Sequence, residues 1–181
     1  MWMVATRWFA RVMGLVVLLA VAGARADTAK VIAGWLEKVY LSAAPGHEVT
    51  AKLDSGATTS SINARGIESF DRQGQPWVRF ELVLRDEDDR VETLALERPV
   101  TRYVRIKEHD GNHDRRAVVE LEFCFVGRWH KAQFSLVDRS EFNYPILLGR
   151  RFLAGTAVID PGETFLTDPS CEAPAAAEAQ P

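Results

Sequence analysis

The chain has little of what most enzyme classes need for their chemistry. It holds 2 cysteines and 4 histidines among 181 residues. No His-Glu-x-x-His stretch sets two imidazoles and a general base on one helix face, and no glycine-rich loop ending in Lys-Ser or Lys-Thr cradles nucleotide phosphates. His109 and His113 flank a Gly-Asn turn, and His47 and His130 sit in polar stretches without evident partners. Zinc and ATP are therefore not expected, nor is any other cofactor. Ser60 and Ser61 have no histidine close in sequence, and Cys124 is embedded in strand-like "ELEFCFV". Serine and cysteine hydrolase chemistry thus lacks its base. Clustered Lys and Arg are missing as well. With a formal net charge of −3, the chain lacks the basic footprint that phosphate neutralisation requires, so no nucleic-acid partner is expected.

Long apolar runs are also missing. The one at the start, Val12 to Ala22, is shorter than the roughly 20 residues a bilayer span takes. Arg7 and Arg11 precede it, and Ala24-Arg25-Ala26 has the small-x-small form of a cleavage site. Residues 1–26 therefore read as a signal peptide, and the mature protein as periplasmic or secreted. Cleavage removes three arginines and no acid, leaving the mature chain more acidic still. Residues 27–34 read as an N-terminal extension, 35–168 as one domain, and 169–181 as a disordered tail of Ala, Glu and Pro. In an oxidising compartment Cys124 and Cys171 can form a bridge; alternatively, Cys124 is a small buried hydrophobe.

What is present is strand after strand. "HEVTAKLD" alternates Val49, Ala51 and Leu53 against Glu48, Thr50 and Lys52. "WVRFELVLR" and "VETLALE" flank a charged turn, and "RYVRIKE" closes at a turn containing Asp-Gly. "AVVELEFCFV" and "HKAQFSLVD" flank Gly127-Arg128-Trp129 as a hairpin. "YPILLG" is a short apolar strand, "RRFLAG" one or two helical turns, and "TAVID" and "TFLTD" are short strands around Pro161-Gly162. Scarce helix and many strands predict an all-β barrel or sandwich.

One acid stands out against this pattern. Asp54 ends an alternating strand and runs straight into Ser55-Gly56-Ala57-Thr58. The strand fixes the acid, Gly56 leaves room beside it, and Ser55 can hydrogen-bond locally to hold the turn. A hydrolytic carboxylate needs this setting, although a turn-forming Asp uses the same sequence. Later in the chain, Leu147-Leu148-Gly149-Arg150 joins an apolar strand to a helical segment. Together the two stretches resemble the retropepsin-like aspartic proteases. More closely, "KLDSGATTSSINA", "RRAVVELEFCFVGRW", "FSLVDRSEFNYPILLGRRFL" and "VIDP" resemble the bacterial RimB-like family often labelled ATP-dependent zinc protease. The resemblance runs from Trp35 to Asp168. It implies a retropepsin-like acid protease barrel with one short C-terminal helix.

The same resemblance implies the roles. Asp54 would activate water and protonate the leaving amine, Ser55 and Gly56 would orient the dyad, and Ala57 would let substrate backbone approach. Leu147, Leu148 and Gly149 would thread beside this loop, and Arg150 would hold the loop or the dimer through an acidic partner. Aspartic proteolysis needs two carboxylates sharing one proton, but the chain has a single Asp-Ser-Gly. Asp160 is followed by proline where Ser or Thr is expected. A homodimer meeting at Asp54 on its two-fold axis is therefore expected, with a peptide or protein substrate and an acidic to near-neutral optimum. Thr58 and Thr59 stand where viral retropepsins carry substrate-binding acids. A flap is expected from "RDEDDR" or from "RPVTRYVR", where Arg102, Tyr103 and Arg105 could attract an acidic peptide or simply alternate on a solvated strand face. The resemblance also implies association with an ATP-grasp peptide ligase or an envelope partner. The rival reading is a non-catalytic module of the same fold that binds a peptide or partner without cutting it.

Overall fold

A computed structural model describes residues 29–107 and 113–171. The expected signal peptide, His109 and the tail beyond Cys171 lie outside the described residues. The elements in chain order are β1 (Val31–Gly34), β2 (Leu36–Leu41), β3 (Glu48–Asp54), β4 (Ser60–Arg72), β5 (Gln75–Arg85), β6 (Val91–Pro99), β7 (Arg102–Lys107), β8 (His113–Phe125), β9 (Arg128–Val137), β10 (Ile146–Gly149), α1 (Arg150–Leu153) and β11 (Ala157–Asp160).

Six strands close on themselves in the order β10, β3, β2, β8, β9, β4, and β4 returns to pair with β10. Closure leaves no open edge in the ring. Inside, Val49, Ala51 and Leu53 of β3 meet Val119, Leu121, Phe123 and Phe125 of β8 and Phe134 and Leu136 of β9 in one core. Phe123 and Phe134 pack edge to face at 5.4 Å, an arrangement favoured by the ring quadrupoles. This is the all-β barrel with one short helix that the resemblance implies.

β4 belongs to two structures. Its first residues, Ser60 to Asn63, run parallel to β9 inside the barrel. From Ala64 it leaves the ring and pairs with β5, through a register shift between Arg65 and Glu68, and β5 carries β6 at its far edge. Gly66 sits at the shift with φ +57°, a backbone state that costs glycine little. The sequence pattern missed this strand because its outer half, "GIESFDR", is polar and has no buried face to alternate.

The strand expected at Thr164–Asp168 does not form. Phe165 has φ 56°, which breaks an extended run. The next two backbone N–H groups find a side chain instead of a neighbouring strand. Glu37, fully buried on β2, accepts from Gly34 N at 2.6 Å, Leu166 N at 3.0 Å, and Thr167 N and Oγ1 at 3.2 and 2.8 Å. One carboxylate thereby fastens the C-terminal segment to the start of the barrel. Residues 31–34, expected in an extension, are strand β1, which pairs in parallel with β11. Of the expected tail, Cys171 is tied to Cys124 by a disulfide with Cα atoms 6.0 Å apart.

Glu37→Gln replaces acceptor capacity with an amide facing N–H donors. Urea unfolding should show a loss of about 2–4 kcal/mol; unchanged stability would mean that the carboxylate does not hold the segment.

Candidate active site

The site begins with a register. β10 runs parallel to β3, with Leu148 level with Leu53 and Gly149 level with Asp54. The "ILLG" strand therefore ends where the acid is delivered. Gly149 cannot be larger, because a Cβ there would stand 2.8 Å from the Thr59 carbonyl carbon and 3.0 Å from Ser60 N. Its own N–H donates to Ser60 Oγ at 3.0 Å.

The helix that follows locks the loop from the other side. The first N–H groups of a helix lack internal acceptors. Here Arg150 N donates to Ala57 O at 2.9 Å and Arg151 N to Thr58 O at 3.2 Å. The Arg150 guanidinium reaches Thr58 Oγ1 at 2.8 Å, Gly56 O at 3.3 Å and Ser55 O at 3.5 Å. Among the described residues of this chain no acid pairs with Arg150. Its fork reads the carbonyls and hydroxyl of the loop itself, which turns back within reach of α1.

Asp54 is held by one oxygen. Oδ1 accepts from Gly56 N at 2.9 Å and Ala57 N at 3.2 Å, so the turn-forming and the chemically poised readings of this acid share one geometry. Oδ2 faces Lys52 Nζ at 3.8 Å, and the carboxylate remains 29% exposed. A fixed carboxylate that stays partly exposed to water is what general-base chemistry asks for.

Asp54 opens into a cavity of about 350 Å³ lined by Trp35, Lys52, Arg139, Phe142, Tyr144 and Leu147, with Asn143 beside them. Among the described residues Asp54 is its only lining carboxylate. A larger cavity of about 630 Å³ adjoins it through Arg139, Phe142, Asn143 and Tyr144, and continues to the Asp86–Asp89 turn. That turn is the "RDEDDR" stretch expected as one of two flap candidates.

Arg139 was not legible in the sequence, where it is one arginine in the polar loop after "FSLVD". It is buried to 7% exposure. Its Nε donates to Tyr144 O at 3.1 Å, its Nη1 to Ser61 Oγ at 2.9 Å, and its backbone N to Asn63 Oδ1 at 2.7 Å. The guanidinium also lies 4.5 Å from the Phe142 ring centre. Burial lowers its pKa from the ordinary value, the Arg116 charge lowers it further, and Asp54 opposes both. Trp35 and Tyr144, which meet edge to face at 6.0 Å, were also missed. Their lone aromatic positions carry no periodic signal.

The other sequence candidates are more scattered. Arg102, on β7, donates from Nε to Gln133 Oε1 at 2.8 Å and from Nη2 to Thr59 Oγ1 at 3.1 Å, which ties it to the residue after Thr58. Tyr103 is covered by the Arg115 guanidinium at 3.7 Å. Arg105 is exposed and stands opposite Arg115 across the β7–β8 pair. Neither Tyr103 nor Arg105 lines the Asp54 cavity. Among the described residues no three His, Cys, Asp or Glu side chains gather where they could hold a metal.

Residues 32–170 match a family model described as RimB-like, retropepsin-like aspartic endopeptidase RimB. A probable alpha-L-glutamate ligase of Shewanella pealeana (strain ATCC 700345 / ANG-SQ1) is 35% identical over 117 residues, 65% of this chain and 25% of that protein. A probable alpha-L-glutamate ligase of Parasynechococcus marenigrum (strain WH8102) is 30% identical over 134 residues, 74% of this chain and 28% of that one. The chain thus spans about a quarter of the length of the curated relatives it matches. A crystal structure of a protein with unknown function from Legionella pneumophila is 27% identical with a TM-score of 0.62, covering 77% of this chain and 100% of that one.

The close fit at Gly149 can be tested against an internal control. Gly149→Ala should lose about 1–3 kcal/mol by overpacking against backbone. Gly155→Ala, with nothing within 4 Å of its added Cβ, should stay within about 0.5 kcal/mol. Equal effects in chemical denaturation would refute the fit.

Proposed function

We infer that this chain, which belongs to the RimB-like family of retropepsin-like proteins, is an aspartic endopeptidase whose two catalytic acids are Asp54 and the same residue of a second copy. The observation that carries the reading is the state of Asp54. One oxygen is fixed by two loop N–H groups, the other faces the Lys52 ammonium on a partly exposed side chain, and the acid is seated by the Gly149 register at the mouth of a cavity. One carboxylate is half of the required chemistry. Because the cavity supplies no second acid, a two-fold axis at the Asp-Ser-Gly loop is the economical source.

In that arrangement the two carboxylates hold one proton between them, since close like charges resist double ionisation. The ionised Asp54 removes a proton from a water, whose oxygen attacks the scissile carbonyl carbon. The protonated partner acid hydrogen-bonds the carbonyl oxygen as it gains charge. Collapse of the tetrahedral centre breaks the C–N bond as an Asp54 carboxyl delivers a proton to the leaving nitrogen. Ser55 and Gly56 fix the acid's angle, Ala57 leaves space for substrate backbone, and Arg150 holds the loop so that the acid keeps its place.

The setting of the reaction is part of the same proposal. The protein acts in the periplasm or outside the cell after its signal peptide is removed. The relatives named as probable alpha-L-glutamate ligases carry a segment similar to this chain within much longer proteins. Their names support a peptide or protein substrate that bears ligated glutamate, and a working association with a peptide ligase of the ATP-grasp type.

Residues 27–181 should cut members of a diverse peptide mixture between about pH 3 and 8, read by mass spectrometry. Asp54→Asn should lower the rate by about 10²–10⁴-fold with its unfolding midpoint preserved; a variant that cuts at the wild-type rate would end the reading. Specific activity should also fall on dilution as dimers dissociate. A constant value down to a concentration at which sedimentation shows only monomer would remove the two-fold site.

A further inference from the structure

Closure removes the edges of the barrel ring, but the sheet that β4 carries outside it still ends on one. β6 is its last strand. All 9 of its residues pair with β5 without a break in register, from Val91 opposite Arg85 to Pro99 opposite Trp77. The bonds just beyond each end fix which way the backbone points. Asp86 N donates to Arg90 O at 3.0 Å, and Val100 N donates to Pro76 O at 2.9 Å. Antiparallel ladders alternate bonded and non-bonded pairs, so Glu92, Leu94, Leu96 and Arg98 turn their N–H and C=O groups toward β5. Val91, Thr93, Ala95 and Glu97 turn theirs the other way, to a side where no strand lies among the described residues. Pro99 offers that side a carbonyl only. Such a row is a template for another strand.

The side chains say which strand fits. With a two-fold axis at Ala95, antiparallel pairing with a second β6 matches the free groups to one another. Ala95 exchanges both backbone bonds with the partner's Ala95, and Thr93 does so with the partner's Glu97. The residues between them form non-bonded pairs, whose side chains stand closest. There Leu94 meets the partner's Leu96, and Glu92 meets the partner's Arg98. Symmetry makes each of these contacts twice. Both charges are available: among the described residues Glu92 meets only the His47 imidazole, at 3.4 Å, and Arg98 forms no ion pair. Arg98 instead folds Nη1 onto Glu97 O at 2.8 Å, a carbonyl of the open edge. An axis moved to Leu94 sets Arg98 against the partner's Arg90, and one moved to Leu96 sets it against the partner's Leu94. Of the three axes, only that at Ala95 pairs opposite charges.

We propose that the open edge of β6 docks a second copy of this chain, antiparallel about Ala95, joining β4, β5 and β6 of both copies into one continuous sheet. On docking, the partner's Thr93 N–H takes Glu97 O, which frees Arg98 to reach the partner's Glu92. Leu94 and Leu96, which already pack against the core from β6, extend that apolar layer across the junction. The surface is separate from the Asp54 centre, since no β6 residue lines the Asp54 cavity, and it does not rest on the peptidase reading. A chain that uses both two-folds associates beyond a dimer, because each axis leaves the other surface free. The charge pairs lie at an exposed rim, so the association is reversible and weakens with salt.

Charge exchange between two variants reads out this register. The mature chain, residues 27–181, is followed by sedimentation velocity from low to high micromolar concentration, where the wild type should gain mass. Arg98→Glu faces acid with acid and Glu92→Arg faces base with base, so each alone should weaken the association at least about tenfold. Mixed in equal amounts, the two variants pair opposite charges at every contact and should recover the wild-type association. Ala95→Pro removes an N–H that β5 does not use, on an edge where proline is tolerated. It should abolish the step while circular dichroism stays native. A wild type that stays monomeric overturns the docking edge, as does a mixture no stronger than its components. Variants that associate as the wild type does also overturn it, and leave an Asp54 dimer standing. If a charge variant does not fold, Ala95→Pro decides, and wild-type association in that chain refutes the proposal. Loss of association in the edge variants, beside a wild type that cuts no peptide, would support the edge and overturn the peptidase reading.

Discussion

The contact on which the rest depends is the approach of Gly149 to the backbone of Thr59 and Ser60. Only a residue without a Cβ allows β10 to lie between β3 and β4 and close the barrel at the point where Asp54 leaves its strand. Three consequences come from that single close fit. The Gly149 N–H reaches Ser60 Oγ, the first two N–H groups of α1 reach the carbonyls of Ala57 and Thr58, and the Arg150 fork reaches across the loop. The loop's polar groups are satisfied by an element distant in sequence, and the carboxylate inherits its rigidity.

That arrangement resolves an ambiguity the residues alone left open. Asp-Ser-Gly is a common turn, and an Asp that caps its own turn is a bland feature. Here Asp54 does cap the turn, through Oδ1, and it is the capping that leaves Oδ2 directed elsewhere. The structural role and the chemical opportunity are two oxygens of one group. Arg139 also serves the loop: its fork ties the 139–144 segment to β4 through Tyr144 O and Ser61 Oγ.

Legibility followed the physics of each segment. β3, β5, β6, β8 and β9 could be read because their alternation records a buried face. The Asp54 loop and "LLGR" could be read because glycine and the acid have few substitutes there. The second half of β4 could not, since a strand leaving the barrel has no buried face to alternate. Thr164–Asp168 was misread because its apolar residues look like a strand, whereas Phe165 leaves the extended region and Glu37 takes the N–H groups a neighbour would have used. The cavity walls were silent for a different reason: Trp35, Arg139 and Tyr144 come together only when the barrel closes. The Cys124–Cys171 bridge, left open by spacing, is likewise a fact of proximity.

Subunit mixing tests the account's central claim, that each active centre is shared between two copies of Asp54, most directly. Wild-type chain at fixed concentration is equilibrated with increasing Asp54→Asn chain, and the initial rate of peptide cleavage is followed. A shared dyad predicts that the variant poisons the mixture, driving the rate toward zero as wild-type subunits are drawn into mixed dimers. A rate that stays constant as the variant is added would show that each chain carries a complete site, and would contradict the account.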